Sequence, residues 1–266
     1  MLTLVNHIYD ALPKKELIPI PKAQSPFIKS KSLQALYERA LRNVARQVSK
    51  LIAGYEPKDV ISADALRRAL FSYAEILSPW ALNLVRDIMG QANKQDKEAW
   101  KKHTRAMGLA MQKEIAEAPM GEVLRDLMRR NVQLIKSIPE QEGRRVHELV
   151  IANIAEGRRA DEIAKKIRET NNVSLSRATL IARTEISRAS TKLMQARAET
   201  VGSEGYVWQT SGDMIVRPSH RKMEKIFVRW DSPPVLDKMT GHAGEFPNCR
   251  CWPEPILNEY AEGEIG

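Results

Sequence analysis

The residues with the most chemistry available to them lie close together near the C-terminal end of the sequence. They are two histidines and both cysteines: His220, His242, Cys249 and Cys251. Cysteine thiolates and neutral imidazoles are ligands that zinc prefers, and four of them complete a tetrahedral site. The Cys-x-Cys spacing matches no strong zinc-finger pattern. Two interpretations therefore stay open, a bound metal or cysteines that serve as small buried packing groups.

The same side chains could support nucleophilic catalysis. A cysteine next to Arg250 can have a lowered thiol pKa, and His220 could act as its base. Nothing in the spacing brings these groups together, and we expect no enzymatic activity and assign no catalytic residue. A bond between Cys249 and Cys251 would be strained because only one residue separates them, so we expect reduced thiols.

The composition of the whole chain favours a basic, helix-rich protein. Of 266 residues, 43% are hydrophobic and only 6% aromatic, and the formal net charge is +9. Such a charge favours contact with nucleic acid, or it simply makes a soluble surface. The candidate phosphate contacts lie in basic stretches: Arg129, Arg130, Arg144, Arg145, Arg158, Arg159, Lys165 and Lys166. No run of about 18 apolar residues is present, so we expect no membrane span.

Apolar residues at helical spacing predict a series of α-helices from Ser32 to about Gly202. The predicted helices run from Ser32 to Gly54, from a cap at Ser62 to Pro79, from Ala81 to Met89, from Trp100 to Ala118, from Gly121 to Ser137, from Pro139 to Gly157, from Asp161 to Arg168, and from a cap at Ser174 or Ser176 to Gly202. Prolines at 13, 19, 21 and 26 instead predict an extended arm over residues 1–30, with a disordered tail as the alternative.

After Gly205 the pattern changes to that of a small irregular module. Large apolar and polar residues alternate from Tyr206 to Thr210, which predicts a half-buried strand. A second strand is predicted over residues 226–230. Between the two strands, Pro218 favours a short helix that starts at Arg217.

Arg183 and Glu185 are two residues apart on the last long predicted helix, so they diverge around its axis. One interpretation is surface charge on an amphipathic helix. The other is that one of them supports the C-terminal module through charged hydrogen bonds.

Five sequence pieces occur in a characteristic order: residues 182–185 (Ala-Arg-Thr-Glu), 208–213 (Trp-x-Thr-Ser-x-Asp), 217–220 (Arg-Pro-Ser-His), 233–234 (Pro-Pro) and 244–251 (Gly-Glu-Phe-Pro-Asn-Cys-Arg-Cys). Their order and spacing resemble the motif block of the phage Mu protein F-like family, minor head or head-morphogenesis proteins of tailed phages. The resemblance covers roughly residues 140–257. The residues that it marks as a structural motif are Arg183, Glu185, Trp208, Asp213, Arg217, His220, Pro233, Pro234, Cys249, Arg250 and Cys251.

One part of the block departs from the family pattern. Some members carry Cys-Pro-x-Cys followed downstream by His-Pro-x-Cys, a plausible zinc set. The corresponding positions here are Arg217, His220, Phe246 and Cys249, and only His220 and Cys249 can ligate a metal. The resemblance thus suggests that a pair between Arg217 and either Asp213 or Asp231, with hydrogen bonds from His220, replaces the metal. We expect no cofactor, with zinc as the alternative.

Together these observations predict an α+β fold, mainly helical in its first two-thirds, with a small mixed, loop-rich module at the C-terminal end. The expected organisation is an arm over residues 1–30, a helical domain over 31–138, the Mu F-like domain over 139–257 and an acidic mobile tail over 258–266.

The resemblance also implies a function and its partners. The chain is expected to be a minor capsid protein that acts at or near the portal, with portal, capsid and scaffold subunits as partners. It is expected in the head interior or at the portal vertex, and in the host cytoplasm during assembly. The alternatives are a basic protein that binds DNA non-specifically and is ejected with the genome, or a C-terminal metal or enzymatic module.

Overall fold

The computed structural model describes residues 30–55, 59–103, 113, 117–169 and 172–256. The predicted arm up to residue 29, the tail from residue 258 and residues 104–112 of a predicted helix lie outside this part of the chain. The long helices are α1 (Lys31–Tyr55), α2 (Val60–Ile76), α3 (Ser78–His103), α4 (Met120–Ala155), α5 (Ala160–Glu169) and α6 (Val173–Thr200). Small antiparallel sheets follow them, and the fold is α+β as predicted. No helix in the described ranges is long and apolar enough to cross a membrane.

The start of α2 differs from the prediction. The N-cap is Asp59 rather than Ser62, and the Asp59 carboxylate accepts a hydrogen bond of 2.7 Å from the Ser62 amide. The Asp59 amide in turn donates to the Ser62 hydroxyl oxygen at 3.1 Å. This reciprocal capping box needs two capping residues three positions apart, and the first of them takes the cap. The same kind of shift occurs in α6, which begins at Val173, so Ser174 and Ser176 lie within its first turns.

Helix α4 is continuous, and the prediction of two helices separated at Pro139 was wrong. Pro139 lies inside the helix. A proline in a helix interior removes one backbone hydrogen bond and costs about 3 kcal/mol or more. Buried side chains on both sides of it, Ile135, Ile138 and Val146, continue one apolar face. Burial of this face offsets the cost of the proline.

The described residues form two compact units. The helical unit contains residues 31–91 and 124–186, and the C-terminal unit contains Ser30 with residues 92–123 and 187–256. The boundary that the sequence suggested after residue 138 falls inside α4 and inside the helical unit. In the helical unit, the buried Tyr37 hydroxyl donates to the Asn131 amide oxygen at 2.9 Å, which joins α1 to α4.

The C-terminal unit is built around a three-stranded antiparallel sheet. Strand β1 (Gly205–Thr210) lies between β2 (Phe227–Arg229) and β5 (Cys251–Pro255), and both predicted strands are confirmed. A short helix, α7 (Pro218–Arg221), follows β1, and a hairpin of β3 (Val235–Leu236) and β4 (Met239–Thr240) follows β2. A Cβ at Gly205 would overlap the Val228 carbonyl oxygen, so only glycine allows this close pairing.

Strand β5 was not predicted, because Pro253 and Pro255 argue against a strand. It is tolerated because β5 is an edge strand that pairs with β1 alone in the described sheet. The Ile256 amide donates to the Gly205 carbonyl at 3.0 Å, and the Arg250 carbonyl accepts from the Ser211 amide at 3.0 Å. From residue 250 to residue 256, the even-numbered residues therefore direct their backbone N–H and C=O groups toward β1. Pro253 and Pro255 are odd-numbered, so their backbone groups point away from β1.

Candidate functional site

Aromatic side chains form the core of the C-terminal unit around the site. Trp208 of β1 and Phe246 are fully buried, and both pack edge-on against the His220 ring, with centroids 5.6 Å and 4.7 Å away. Tyr206 stacks at 4.5 Å on Trp230. These rings fix the position of the imidazole and separate it from solvent.

His220 is placed by α7. Arg217 is the N-cap residue of this helix and Pro218 occupies its first turn, as predicted. The two cysteines come from the segment that leads into β5, where Asn248 has a φ of 52°, a left-handed conformation that asparagine tolerates. This turn and the start of β5 carry both thiols to the same side of the imidazole.

The three side chains meet at close range. His220 Nδ1 lies 3.5 Å from Cys249 Sγ and 3.5 Å from Cys251 Sγ. The three potential ligand atoms all lie within 4.8 Å of one another, and all three residues are buried. Both cysteines are free thiols, as expected.

His242 does not join this cluster, so the four-residue candidate set reduces to three. Its Nδ1 lies 3.3 Å from the Tyr206 hydroxyl, and its ring packs edge-on against Trp230. Burial lowers the pKa of His242 below its ordinary value. The Tyr206 hydroxyl also accepts a hydrogen bond of 3.1 Å from the Ala243 amide, so both His242 and the residue after it contact Tyr206.

The two thiols have different acidities. The hydrogen bond from Cys251 is the largest cause that lowers the pKa of Cys249, to about 5, and His220 contributes to the same effect. The same hydrogen bond, followed by burial, raises the pKa of Cys251. The hydrogen bond between the two thiols therefore stabilises one thiolate in the pair while the other sulfur keeps its proton.

Arg217 does not make the pair that the sequence suggested. Its guanidinium donates to the Pro247 carbonyl at 2.7 Å and lies 4.0 Å from the Asp237 carboxylate. Asp213 instead pairs with Arg250 at 2.6 Å. Asp213 follows β1 closely in sequence, and Arg250 immediately precedes the β5 strand that pairs with it, so the sheet register brings these two together.

Asp231 pairs with its near neighbour Arg229 at 2.9 Å and is not available to Arg217. Arg217 and His220 nevertheless contact the segment that holds Phe246 and Cys249. The four positions that correspond to the family's cysteine and histidine pattern are therefore neighbours in space. The proline pair holds the hairpin, since the Pro234 carbonyl accepts from the Gly241 amide at 3.2 Å and Pro233 precedes it.

Comparison with known proteins finds a similar family for part of the chain. Residues 144–253 match the family model described as phage Mu protein F like protein. This segment is similar to phage Mu protein F. An uncharacterized protein of Haemophilus influenzae strain Rd is 35% identical over 128 residues, which cover 48% of this chain and 28% of that protein. The chain thus spans little more than a quarter of the length of this relative. No solved structure matches.

The Mu F-like segment also contains the Arg183 and Glu185 motif, whose contacts lie in the helical unit. Glu185 pairs with Arg130 at 2.8 Å, and Arg183 lies 4.0 Å from Glu38. The suggestion that one of them supports the C-terminal module is not confirmed by these contacts. The Glu185 carboxylate is buried and joins α6 to α4.

A buried polar group of the Mu F-like segment was missed by sequence reasoning. The Glu245 carboxylate accepts from the His242 amide at 2.8 Å and pairs with Lys192 at 3.0 Å. Burial alone would raise the pKa of Glu245, but the charge of Lys192 and the amide hydrogen bond lower it below its ordinary value. Arg188 and Thr191 bond the Glu245 and Ala243 carbonyls. The signal that could have found this contact was the helical spacing of three polar residues, 188, 191 and 192, which places them on one face of α6.

The candidate phosphate contacts all lie in the helical unit, and most have acidic neighbours. Five of the eight form ion pairs: Arg129 with Asp126, Arg130 with Glu185, Arg145 with Glu142, Arg158 with Glu156, and Lys165 with Glu169. Lys166 donates to the Asn153 side chain, and Arg144 lies over the Phe71 ring. Arg159 is exposed. Pairing with carboxylates reduces the positive field that these residues present to a phosphate backbone.

Proposed function

We propose that the chain is a head-morphogenesis protein of a tailed phage or prophage, and that its C-terminal unit acts as a rigid contact element. The single observation that carries the proposal is the match of residues 144–253 to the phage Mu protein F-like family. The buried aromatic core supports the rigid role, since Trp208, Tyr206 and Phe246 are each at most 1% exposed. Side chains packed this closely hold one conformation.

A non-enzymatic role is part of the proposal. His220, Cys249 and Cys251 are exposed by only 2%, 7% and 2%. Little of their surface is therefore open to a substrate. A reactive site is normally concave and open to its substrate. The burial of the cluster therefore favours a structural role over a catalytic one.

Portal, capsid or scaffold subunits are the proposed partners, at or near the portal vertex of the head. The C-terminal unit offers an exposed apolar surface for such a contact. Met214 and Ile215 follow β1 and are 95% and 73% exposed, and Val235 of β3 is 69% exposed. Large apolar side chains that are left in water often mark a protein contact surface.

Packaging with the DNA is a finer proposal that the net charge of +9 supports. The acidic neighbours of the candidate contacts argue for weak, non-specific binding. Such binding should weaken steeply as the salt concentration rises. An affinity for DNA that does not change between low and moderate salt would contradict this part of the proposal.

The experiment that tests the main proposal uses a phage or inducible prophage that carries this gene. Mass spectrometry of purified procapsids and mature particles should detect the protein, and deletion of the gene should lower the yield of filled heads. The double variant Met214→Ser, Ile215→Ser should lower head yield while the thermal midpoint of the purified protein stays unchanged. Ile61→Ser is the matched control, since Ile61 of the helical unit is 82% exposed.

Head yield that is normal after deletion, or a protein that is absent from procapsids and particles alike, would overturn the assembly role. If the Ile61→Ser control lowers head yield as much as the double variant, the contact surface is assigned to the wrong unit. Turnover of a substrate that is lost in Cys249→Ser would contradict the non-enzymatic role.

A further inference from the structure

We propose that His220, Cys249 and Cys251 bind a Zn²⁺ ion through Nδ1 and the two Sγ atoms. This inference is independent of the proposed role in head assembly. It concerns how the C-terminal unit is held together, and it can fail while the assembly role stands.

The distances among the three atoms match a shared tetrahedral centre. Zinc lies about 2.3 Å from a thiolate sulfur and about 2.0–2.1 Å from an imidazole nitrogen. At a tetrahedral angle these bond lengths place the nitrogen about 3.5–3.6 Å from each sulfur. His220 Nδ1 lies 3.5 Å from Cys249 Sγ and 3.5 Å from Cys251 Sγ. Ligand side chains would therefore need little movement to accept the ion.

Hydrogen bonding alone explains these two equal distances less well. In a neutral imidazole Nδ1 is either one donor or one acceptor, so it can make one directed hydrogen bond. It cannot point at Cys249 Sγ and Cys251 Sγ at once. A cation between the three atoms satisfies all of them together.

The surroundings of His220 fit a metal ligand. Its Nε2 is buried, has no hydrogen-bond partner among the described residues, and lies 3.8 Å from the Asp237 carboxylate. Imidazoles that bind a metal usually turn their other ring N–H toward a carboxylate, which fixes the tautomer. A small shift of the Asp237 side chain toward Nε2 would form this bond and leave Nδ1 to bind the ion.

The chemistry of the donor set favours zinc over harder cations. Two thiolates and one imidazole are soft to borderline ligands, which suit Zn²⁺ and do not suit Mg²⁺ or Ca²⁺. One position of the tetrahedron is left for an oxygen ligand. A water molecule or another oxygen donor can take this position. The three proposed ligand residues are all buried.

The test uses the full chain, purified under reducing conditions and dialysed against buffer with zinc and then without it. Elemental analysis should find about one Zn²⁺ per chain. Removal of the ion with a chelator should lower the thermal midpoint, and addition of zinc alone should restore it. Replacement by Co²⁺ should give the visible absorption of a tetrahedral ion together with a sulfur-to-cobalt charge-transfer band.

Variants assign the ligands. His220→Asn, Cys249→Ser and Cys251→Ser should each lose the zinc, and Asp237→Asn should weaken zinc binding about 10–100-fold. His242→Gln is the matched control and should keep the ion, because His242 lies outside the cluster. The measurements on the unaltered protein keep the test valid if a ligand variant does not fold.

Zinc far below one equivalent, with no rise in the thermal midpoint when zinc is added to the reduced protein, would overturn the proposal. So would a His242→Gln variant that loses the ion while Cys251→Ser keeps it. Rapid alkylation of both thiols in the presence of zinc would also overturn the proposal, because thiolates that bind zinc react slowly.

Discussion

The Arg130 guanidinium donates two hydrogen bonds to the Glu185 carboxylate, from Nε at 2.8 Å and from Nη2 at 3.1 Å. The Arg130 side chain is 47% exposed, whereas that of Glu185 is 3% exposed. A two-fold contact of this kind is directional and stronger than a bond between neutral groups. It joins α4 and α6 in the helical unit at the Arg-Thr-Glu motif.

The unequal exposure of the two partners predicts unequal effects of mutation. Arg130→Ala removes two charged hydrogen bonds from a buried carboxylate and should lower the free energy of unfolding by about 2–3 kcal/mol. Glu185→Gln leaves Arg130 in contact with water and should cost about 1 kcal/mol. Urea denaturation of both variants, monitored by helical circular dichroism, checks the order. The opposite order would show that the carboxylate is held mainly by other groups.

Gly244 is required by two independent features of its surroundings. Its φ is +91°, and a Cβ would overlap Thr191 Oγ1 and lie 3.1 Å from Ser187 Oγ. Gly244→Ala should therefore lower stability by about 3 kcal/mol or more. Gly212→Ala is the matched control, since Gly212 has a φ of +69° but no atom within 4 Å of the added Cβ. Its cost should be about 1 kcal/mol, and equal thermal midpoints for the two variants would refute the clash.

Trp208 should contribute more stability than any exposed residue of the C-terminal unit. It is fully buried and packs against His220 and Phe246. Trp208→Ala removes a large side chain from this core and should cost about 3–5 kcal/mol, with a parallel loss of head yield. Met214→Ala, at a side chain 95% exposed, should change stability by less than about 0.5 kcal/mol. Thermal denaturation followed by tryptophan fluorescence measures the first variant against the second.

His242 predicts how stability depends on pH. Burial holds the pKa of native His242 below its ordinary value, so the unfolded chain takes up this proton first as the pH falls. The stabilising contribution is present above about pH 6.5 and is lost as the pH falls from there through the native pKa. His242→Gln should make the free energy of unfolding fall less steeply between about pH 7.5 and pH 5.5. Identical slopes for both proteins would exclude His242 as the source.

The helices were predictable because their apolar residues recur at a regular spacing over long segments. The errors arose where a local sequence signal was overridden by tertiary packing or by a nearby capping residue. Pro139 suggested a break, but the buried face that includes Ile135 and Ile138 carries α4 through it. Ser62 suggested a cap, but Asp59 lies three residues earlier and takes that position.

Residue type identified three of the four candidate ligands correctly, but it wrongly included His242 and did not predict the ion pairs around them. His220, Cys249 and Cys251 were singled out by residue type, and they meet in the structure. The partners of Arg217 and Asp213 depend on sheet register, because β1 must pair with β5 before Asp213 can reach Arg250. Because Pro253 and Pro255 argue against a strand, β5 was not predicted. The register between β1 and β5 therefore could not be predicted from the sequence.

The alternating direction of the backbone groups in β5 limits the addition of a further strand to the sheet. Even-numbered residues turn their backbone groups to β1, so the outward-facing amide positions of this strand include Pro253 and Pro255, which have no N–H to donate. A strand from another molecule would find carbonyl acceptors there without the matching donors. This edge of the C-terminal unit therefore resists the addition of a strand from another molecule.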